Sequence, residues 1–467
     1  MFKRGLAIAL AGTLALSVLF TGCSSDEPEN SSNDVKQEES KTASGKEEVK
    51  ETTDEYSGTV TVQMIGDWEM ETTTDPLTGV KREGLEVVKE EFESRYPGTT
   101  VEYVIMGWDS YTQKTQTMLS VNECDVYQVP GIAAFADQGF LEPLEPYIEK
   151  DGYDLGQLIE GQIDGWKAMG PDETDLHIYG LPVIGDTRTM MYDKEIFDQW
   201  GVEYLSERPT LEEIKEKAAA MTGTNPVTGV QNYGIAWRGR DTADTMVNIA
   251  ESLGGTWGDG FRFKELTFNF NSPEFVQAAD YLLELLAYAP EGVVTGQGLE
   301  TFGTSQNNVA INLRVGPNNY YNTYVTPDTI DKYGTSYLFI NENEGMGGMF
   351  AGSPYSIGAT SDNKDLAWEY LKFMTSDFYQ EYQWKNYQSL PVIKSATEWD
   401  DFVNIPGMDL VLDSMKYLWT PRYPYRAGQP RGILTDSVER FMLGESTTEE
   451  ALNDAQTQAD EWVASLK

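Results

Sequence analysis

Three tryptophans of this chain stand among charged residues, in Asp67-Trp68-Glu69, Gly107-Trp108-Asp109 and Trp237-Arg238-Gly239-Arg240. An indole ring covers an apolar C–H face, while neighbouring carboxylates and guanidiniums satisfy hydroxyls around the rim. That is the chemistry a sugar ring needs. Aromatic contacts add about 0.5–1.5 kcal/mol beyond area burial, and hydrogen bonds to charged groups about 1.5–3 kcal/mol. A tryptophan half-buried in a core leaves the same local signature, so each of the three carries both readings. Catalytic signatures are missing beside them. No GxxxxGKS/T phosphate loop, GxSxG elbow or EF-hand calcium loop occurs. The single histidine, His177, rules out HExxH, and its surroundings read as structural. Gly345, Gly347, Gly348 and Gly352 do not fit GxGxxG and read as a turn. With 76 acidic residues some close carboxylate pairs are inevitable, so no single pair marks a glycosidase.

The elements that must position these residues follow from hydrophobic periodicity. Val60, Val62 and Met64 alternate along a strand that runs out at Gly66-Asp67. A helix from Gly84 to Tyr96 carries Leu85, Val88, Phe92 and Tyr96 on one stripe and stops at Pro97-Gly98. A strand from Thr100 to Met106, a polar helix from Asp109 and a buried strand from Asp125 to Val129 come next. Strands alternating with helices predict parallel βαβ units and an α/β architecture. Ligands of such sheets sit at the carboxyl ends of strands, where the loops around Asp67, Trp108 and Gln128 gather. Further helices are expected at 210–221, 272–287, 365–374 and 447–467, the last opened by a Thr447-x-x-Glu450 capping box. Asp75-Pro76-Leu77-Thr78-Gly79-Val80 and Asn225-Pro226-Val227-Thr228-Gly229-Val230 read as two similar turns.

Composition narrows the function classes. The 467 residues allow two or three domains, and 40% apolar content is ample for packed cores. A formal charge of −42 repels phosphate backbones and anionic headgroups, so nucleic acid is not an expected partner. One His and two Cys leave no basis for a zinc site or a disulfide framework, and no metal or cofactor is expected. Lys3 and Arg4 precede an apolar run from Leu6 to Phe20, too short to span a bilayer comfortably. It ends in Phe20-Thr21-Gly22-Cys23, which resembles a bacterial lipobox, so residues 1–23 read as a signal peptide with a lipidated Cys23. Cys124 is then the remaining thiol, and its apolar run reads as buried and inert. Residues 24–56, rich in Ser, Thr, Glu and Lys, read as a disordered tether, and most of the acidity belongs to the body beyond it.

Ordered segments of that body resemble the extracellular solute-binding proteins of ABC importers, in the sugar-binding group related to maltose-binding protein. Asp125-Val126 with Ala136-Asp137-Gln138-Gly139-Phe140-Leu141-Glu142-Pro143-Leu144 is similar to an early family run. Tyr179-Gly180-Leu181-Pro182, followed by Met191-Tyr192-Asp193-Lys194-Glu195-Ile196-Phe197, resembles its crossover. Pro209-Thr210-Leu211-Glu212-Glu213, Tyr288-Ala289-Pro290-Glu291-Gly292-Val293 and Ser361-Asp362-Asn363-Lys364 before Ala367-Trp368 continue the order.

The resemblance implies an α/β, two-lobed periplasmic-binding-protein-like fold of type II, with the ligand cleft between lobes joined by crossing strands. It places lobe 1 at 57–186 and 349–385, and lobe 2 at 187–348 and 386–467. It implies hinge closure on a carbohydrate, expected to be an oligosaccharide, and delivery to permease subunits by a monomer. The protein is then no enzyme, and it is lipid-anchored through Cys23, palmitate included, to the outer face of the bacterial cell membrane. Carried over by segment, the cleft residues are Asp67, Trp68, Trp108, Gln128, Asp186, Trp237, Arg240, Asn318, Ser353, Tyr355, Trp384, Arg422 and Tyr423. Asn318 stands where maltose binders have a stacking Trp, and Tyr320 or Tyr321 would compensate. Trp257 and Trp368 read as core. Two other readings stay open: the same fold taking a peptide, polyamine or other cation, which the acidity suits and Arg240 and Arg422 oppose, and a surface glycoside hydrolase.

Overall fold

In a computed structural model of the chain, residues 56–74, 79, 81–316, 329, 331–339, 353–415 and 429–466 are described. The alternation at Val60, Val62 and Met64 forms strand β1 (Gly58–Ile65), and all three side chains are fully buried. Helix α1 (Leu85–Arg95) buries Leu85, Val88 and Phe92, and β2 (Thr99–Met106) returns parallel to β1 in unbroken register from Gly58↔Thr99 to Ile65↔Met106. Helix α2 (Tyr111–Ser120) and β3 (Val126–Gln128) follow. Next come β4 (Leu181–Ile184), β5 (Thr189–Asp193) and α3 (Lys194–Trp200), whose first turn is capped by the Asp193 carboxylate.

Helix α4 (Leu211–Ala220) leads to β6 (Gly223–Thr224), β7 (Gln231–Ala236), α5 (Thr242–Ser252) and α6 (Pro273–Leu285). Strands β8 (Val309–Val315), β9 (Tyr333–Tyr337) and β10 (Ser353–Ile357) are followed by α7 (Lys364–Met374) and α8 (Asp377–Tyr387). The chain closes with α9 (Met408–Ser414), α10 (Gln429–Met442) and α11 (Thr448–Ser465). Both arms of the Thr447–Glu450 capping box are formed on α11. At the second turn the Asn225 side chain accepts the N–H groups of Val227 and Thr228, whereas most of 75–80 lies outside the described residues.

Among the described residues these strands make two five-stranded sheets, ordered β2-β1-β3-β10-β4 and β6-β7-β8-β5-β9. Every residue of β8 and β10 is buried, as expected of central strands covered by helices on both faces. Helices α1 and α7 pack on the first sheet, while α3, α4 and α9 pack on the second. Helices α5, α6, α10 and α11 pack on one another beside the second sheet. Trp257 and Trp368 are core residues. Cys124 is buried too, and desolvation, with Glu123 and Asp125 nearby, pushes its thiol up to about 12.

Strand direction decides where the two sheets meet. In the first, the carboxyl ends of β1, β2, β3 and β4 share an edge with the amino end of antiparallel β10, where Ser353 lies opposite Ile184. In the second, the carboxyl ends of β7, β8 and β9 share an edge with the amino end of β5, where Thr189 faces Val315 and Tyr337. Only residues 185–188 separate β4 from β5, so these two edges face each other across a four-residue crossing. Gly185 of that crossing donates its N–H to Leu390 O at 2.8 Å. A Cβ on Gly185 would stand 2.8 Å from the same oxygen, so the close approach requires glycine. Thr187 is held by a 2.9 Å hydroxyl contact with Ser414 of α9.

Candidate functional site

The wall contributed by the first sheet is built around Ile65-Gly66-Asp67-Trp68. Beyond Val62, paired with Val126, β1 leaves β3, and a side chain takes over from the backbone ladder. Gln128 Oε1 accepts the Ile65 N–H at 2.7 Å and the Tyr355 hydroxyl at 3.0 Å. Ile65 O in turn accepts the Trp68 indole N–H at 3.1 Å. Gly66 has φ +130°, and a Cβ there would stand 3.4 Å from Trp68 Nε1 and 3.5 Å from Trp108 Nε1. Both indoles therefore flank one glycine. Trp68 is 9% exposed and packs against the Tyr387 ring at 4.4 Å, while Trp108 is 50% exposed and meets Tyr111 edge-on. Asp67 is exposed beside them.

The facing wall is ionic. On the crossing, Arg188 Nη1 lies 2.5 Å from Asp186 Oδ2 and donates to Thr187 O at 2.7 Å. Arg314, near the end of β8, pairs with Asp241 at 3.1 Å just before α5. One turn along, Asp244 receives Nε and Nη2 of Arg431, from α10, at 3.2 and 2.9 Å in a bidentate fork. The first turn of α5 is a favourable seat for carboxylates because the helix dipole is positive there. Burial pushes the Asp186 carboxyl above its ordinary value against the pull of Arg188. Burial likewise opposes the charge of Arg188, yet Asp186, Asp241 and Asp244 raise its pKa. The three pairs thus interact as one cluster. Arg431 is its most exposed member, at 39% of its side chain.

Several expected cleft residues stand elsewhere. Trp237 is 1% exposed and spends its indole N–H on Thr242 Oγ1 at 3.0 Å, so it belongs to the core and has no face to offer. Trp384 is also buried, edge-on to Phe402 at 4.7 Å. Gln128 and Tyr355 are fully buried and act on the Ile65–Trp68 segment from behind; desolvation holds the Tyr355 hydroxyl well above its usual range. Ser353 is buried at the edge itself, opposite Ile184. The Arg240 backbone lies in the single helical turn Gly239–Asp241. Asn318, Tyr320, Tyr321, Arg422 and Tyr423 lie outside the described residues, as do the signal, Cys23, the tether up to residue 55 and the 345–352 glycines. His177 lies on a short strand pairing back to Lys167–Ala168, 3.5 Å from Glu145.

The geometry brings together the two-residue spacing of Asp186 and Arg188, Trp68 and Trp108 around Gly66, and two ion pairs absent from the sequence reading. Arg188, Asp241, Asp244, Arg314 and Arg431 were not legible as a group, since Arg431 and Asp244 are 187 residues apart. The local cue is only the density of charge in 238–244, and it points to Trp237 and Arg240 instead. Among the described residues no group of His, Cys, Asp and Glu is placed to hold a metal ion.

Residues 78–381 match the family described as bacterial extracellular solute-binding protein, and the chain belongs to that family. A binding protein of Brucella abortus is 23% identical over 387 residues, spanning 80% of this chain and 89% of that one. Among solved structures, maltose-bound MalE3 of T. maritima superposes with a TM-score of 0.67 at 20% identity, covering 86% of this chain and 99% of that one. The substrate-binding protein Lmo0181 of Listeria monocytogenes, in complex with cycloalternan, gives 0.66 at 18% identity, covering 87% and 99%. The fold is the two-lobed α/β arrangement of these proteins, with the cleft between lobes that the crossing strands join. Among the described residues no helix is long and apolar enough to cross a membrane.

Proposed function

We propose that this protein is a carbohydrate-binding lipoprotein of an ABC importer, its ligand an oligosaccharide held between the two sheet edges. The observation that carries this reading is the pairing of walls across residues 185–188: a half-exposed Trp108 beside Trp68 on one, and Asp–Arg pairs on the other. An aromatic face and charged hydrogen-bonding groups complement the apolar face and hydroxyl rim of a sugar. Structural neighbours carrying maltose and cycloalternan support the same choice. Binding and release are assigned here to hinge motion between lobe 1 (57–186, 349–385) and lobe 2 (187–348, 386–467) about the crossing. The chain acts as a monomer, without catalysis, and delivers its ligand to the permease. Cys23 carries the lipid that anchors it to the outer face of the cell membrane, and residues 24–56 serve as tether, keeping the binder near its transporter.

The acidity of the chain, −42, favours a cationic solute as a second reading. The ion pairs argue against it, because each carboxylate of the cluster already has its guanidinium. Isothermal titration against neutral oligosaccharides, polyamines and short peptides tests both. Heat from oligosaccharides alone supports the reading, whereas heat from polyamines or peptides alone overturns it. Intact oligosaccharide after prolonged incubation is expected, and shortened chains would reveal a hydrolase.

A further inference from the structure

Away from the crossing, a guanidinium of the second lobe reaches the backbone of the first. Arg262 lies in the loop of a hairpin between α5 and α6 that pairs Gly258–Asp259 with Thr267–Phe268. Trp257 and Phe268 at its base are buried, and α11 packs on its second strand. Arg262 Nη2 donates to Gly170 O at 2.9 Å and to Glu173 O. One nitrogen thus commits its two hydrogens to two carbonyls of a single turn, Gly170-Pro171-Asp172-Glu173, which precedes β4 of the first sheet. That turn is held on its own side. The Glu173 N–H reaches Gly170 O at 3.3 Å, and the Glu173 carboxylate accepts the Gly170 N–H at 2.5 Å. Pro171 suits the second position of such a turn, and its ring sits over Gly139. Gly139 is at the end of the first sheet away from the cleft: two residues on, Leu141 bridges Gly358, just past the carboxyl end of antiparallel β10.

We propose that Arg262 and the 170–173 turn form a latch between the lobes, engaged while the cleft is open and broken when the cleft closes on ligand. The inference rests on the carbohydrate reading and the hinge motion above, and it adds a residue outside the cleft that sets affinity. In the arrangement described, Trp108 is 50% exposed on the cleft wall, so the ligand-facing surface is open to water. Closure by rotation about 185–188 carries the turn with lobe 1 and the hairpin with lobe 2. A hydrogen bond is lost once donor and acceptor part beyond roughly 3.5 Å, so a small rotation at this distance from the crossing breaks both contacts. A ligand that binds the closed form must then offset the loss, and its apparent affinity is reduced accordingly.

The test removes the latch and reads both affinity and lobe arrangement. Arg262→Met keeps the aliphatic stem without its donors, and Arg262→Lys restores one cationic donor group. Arg262→Gln replaces Arg262→Met should that variant fail to fold. Wild type and variants are titrated calorimetrically with a panel of neutral oligosaccharides, and small-angle scattering is recorded on each protein without ligand. Melting temperatures are measured in parallel. Arg262→Met is expected to bind about five- to tenfold more tightly than wild type, with a smaller radius of gyration before ligand is added. Arg262→Lys should fall between the two. A purely structural role would lower the melting temperature without tightening binding. Equal affinity and equal scattering in all the proteins overturn the latch, and so does weaker binding by Arg262→Met. Failure of every sugar to bind any of them overturns the carbohydrate reading instead. The scattering of the unliganded proteins then decides the latch alone: a more compact Arg262→Met supports it, and an unchanged radius overturns it.

Discussion

The Gln128 side chain replaces a missing rung of β-sheet: its Oε1 accepts the Ile65 N–H at 2.7 Å where β1 has parted from β3. From Ile65 the link continues through its carbonyl to the Trp68 indole. The orientation of the Trp68 indole therefore depends on a residue with no exposed surface. Gln128→Leu should leave the Ile65 N–H and Tyr355 hydroxyl without their acceptor, costing about 1–3 kcal/mol of stability. It should also shift the tryptophan fluorescence of the native protein and weaken ligand binding. Unchanged fluorescence and affinity would separate Gln128 from Trp68.

Exposure divides the tryptophans into two experimental classes. Trp108→Ala should weaken oligosaccharide binding by about 1–3 kcal/mol with little change in melting temperature. Trp237→Ala opens a cavity in the core and should cost about 3–5 kcal/mol of stability. Denaturant unfolding together with calorimetric titration of both variants distinguishes the roles.

The crossing tolerates no side chain at its first residue. A Cβ at Gly185 would meet Leu390 O and the Met415 methyl, each at 2.8 Å. Gly185→Ala should destabilise the protein by about 1–3 kcal/mol through forced backbone movement. Because 185–188 joins the two sheets, the angular range between lobes should shift as well. Small-angle scattering with and without ligand reads that shift.

Burial of Cys124 has a consequence at high pH. Its thiol ionises near 9 when unfolded and near 12 when folded, so folding favours the protonated form. The contribution is fully present below pH about 9 and is lost as pH rises toward about 12. Cys124→Ala should remove this component, flattening the fall in stability between those limits. Measuring unfolding free energy of both proteins at several alkaline pH values tests it.

Much of the framework was legible because it is local. Val60, Val62 and Met64 announced β1 by alternation, Leu85, Val88 and Phe92 announced α1 by helical spacing, and Thr447 with Glu450 marked the start of α11. Trp68 and Trp108 could be placed near strand ends because βαβ alternation puts loops there, whereas Asp186 comes from the resemblance of its crossover segment. Trp237 could not be resolved, since flanking charge says nothing about which way an indole turns; Thr242, five residues on, captures its N–H and keeps the ring inside. Arg431 was invisible for a different reason. Its partner Asp244 comes near only when α10 returns to the start of α5, a contact that no local pattern encodes.

The central claim is that an oligosaccharide binds between Trp108 and the paired ions of the crossing. Its most direct test is isothermal titration of wild type and Trp108→Ala against a panel of neutral oligosaccharides. Saturable heat with wild type, and about tenfold or more weaker binding by the variant, is the predicted result. Equal affinity of both proteins for the same sugar would contradict the placement of the site. Absence of heat from the whole panel would contradict carbohydrate binding itself.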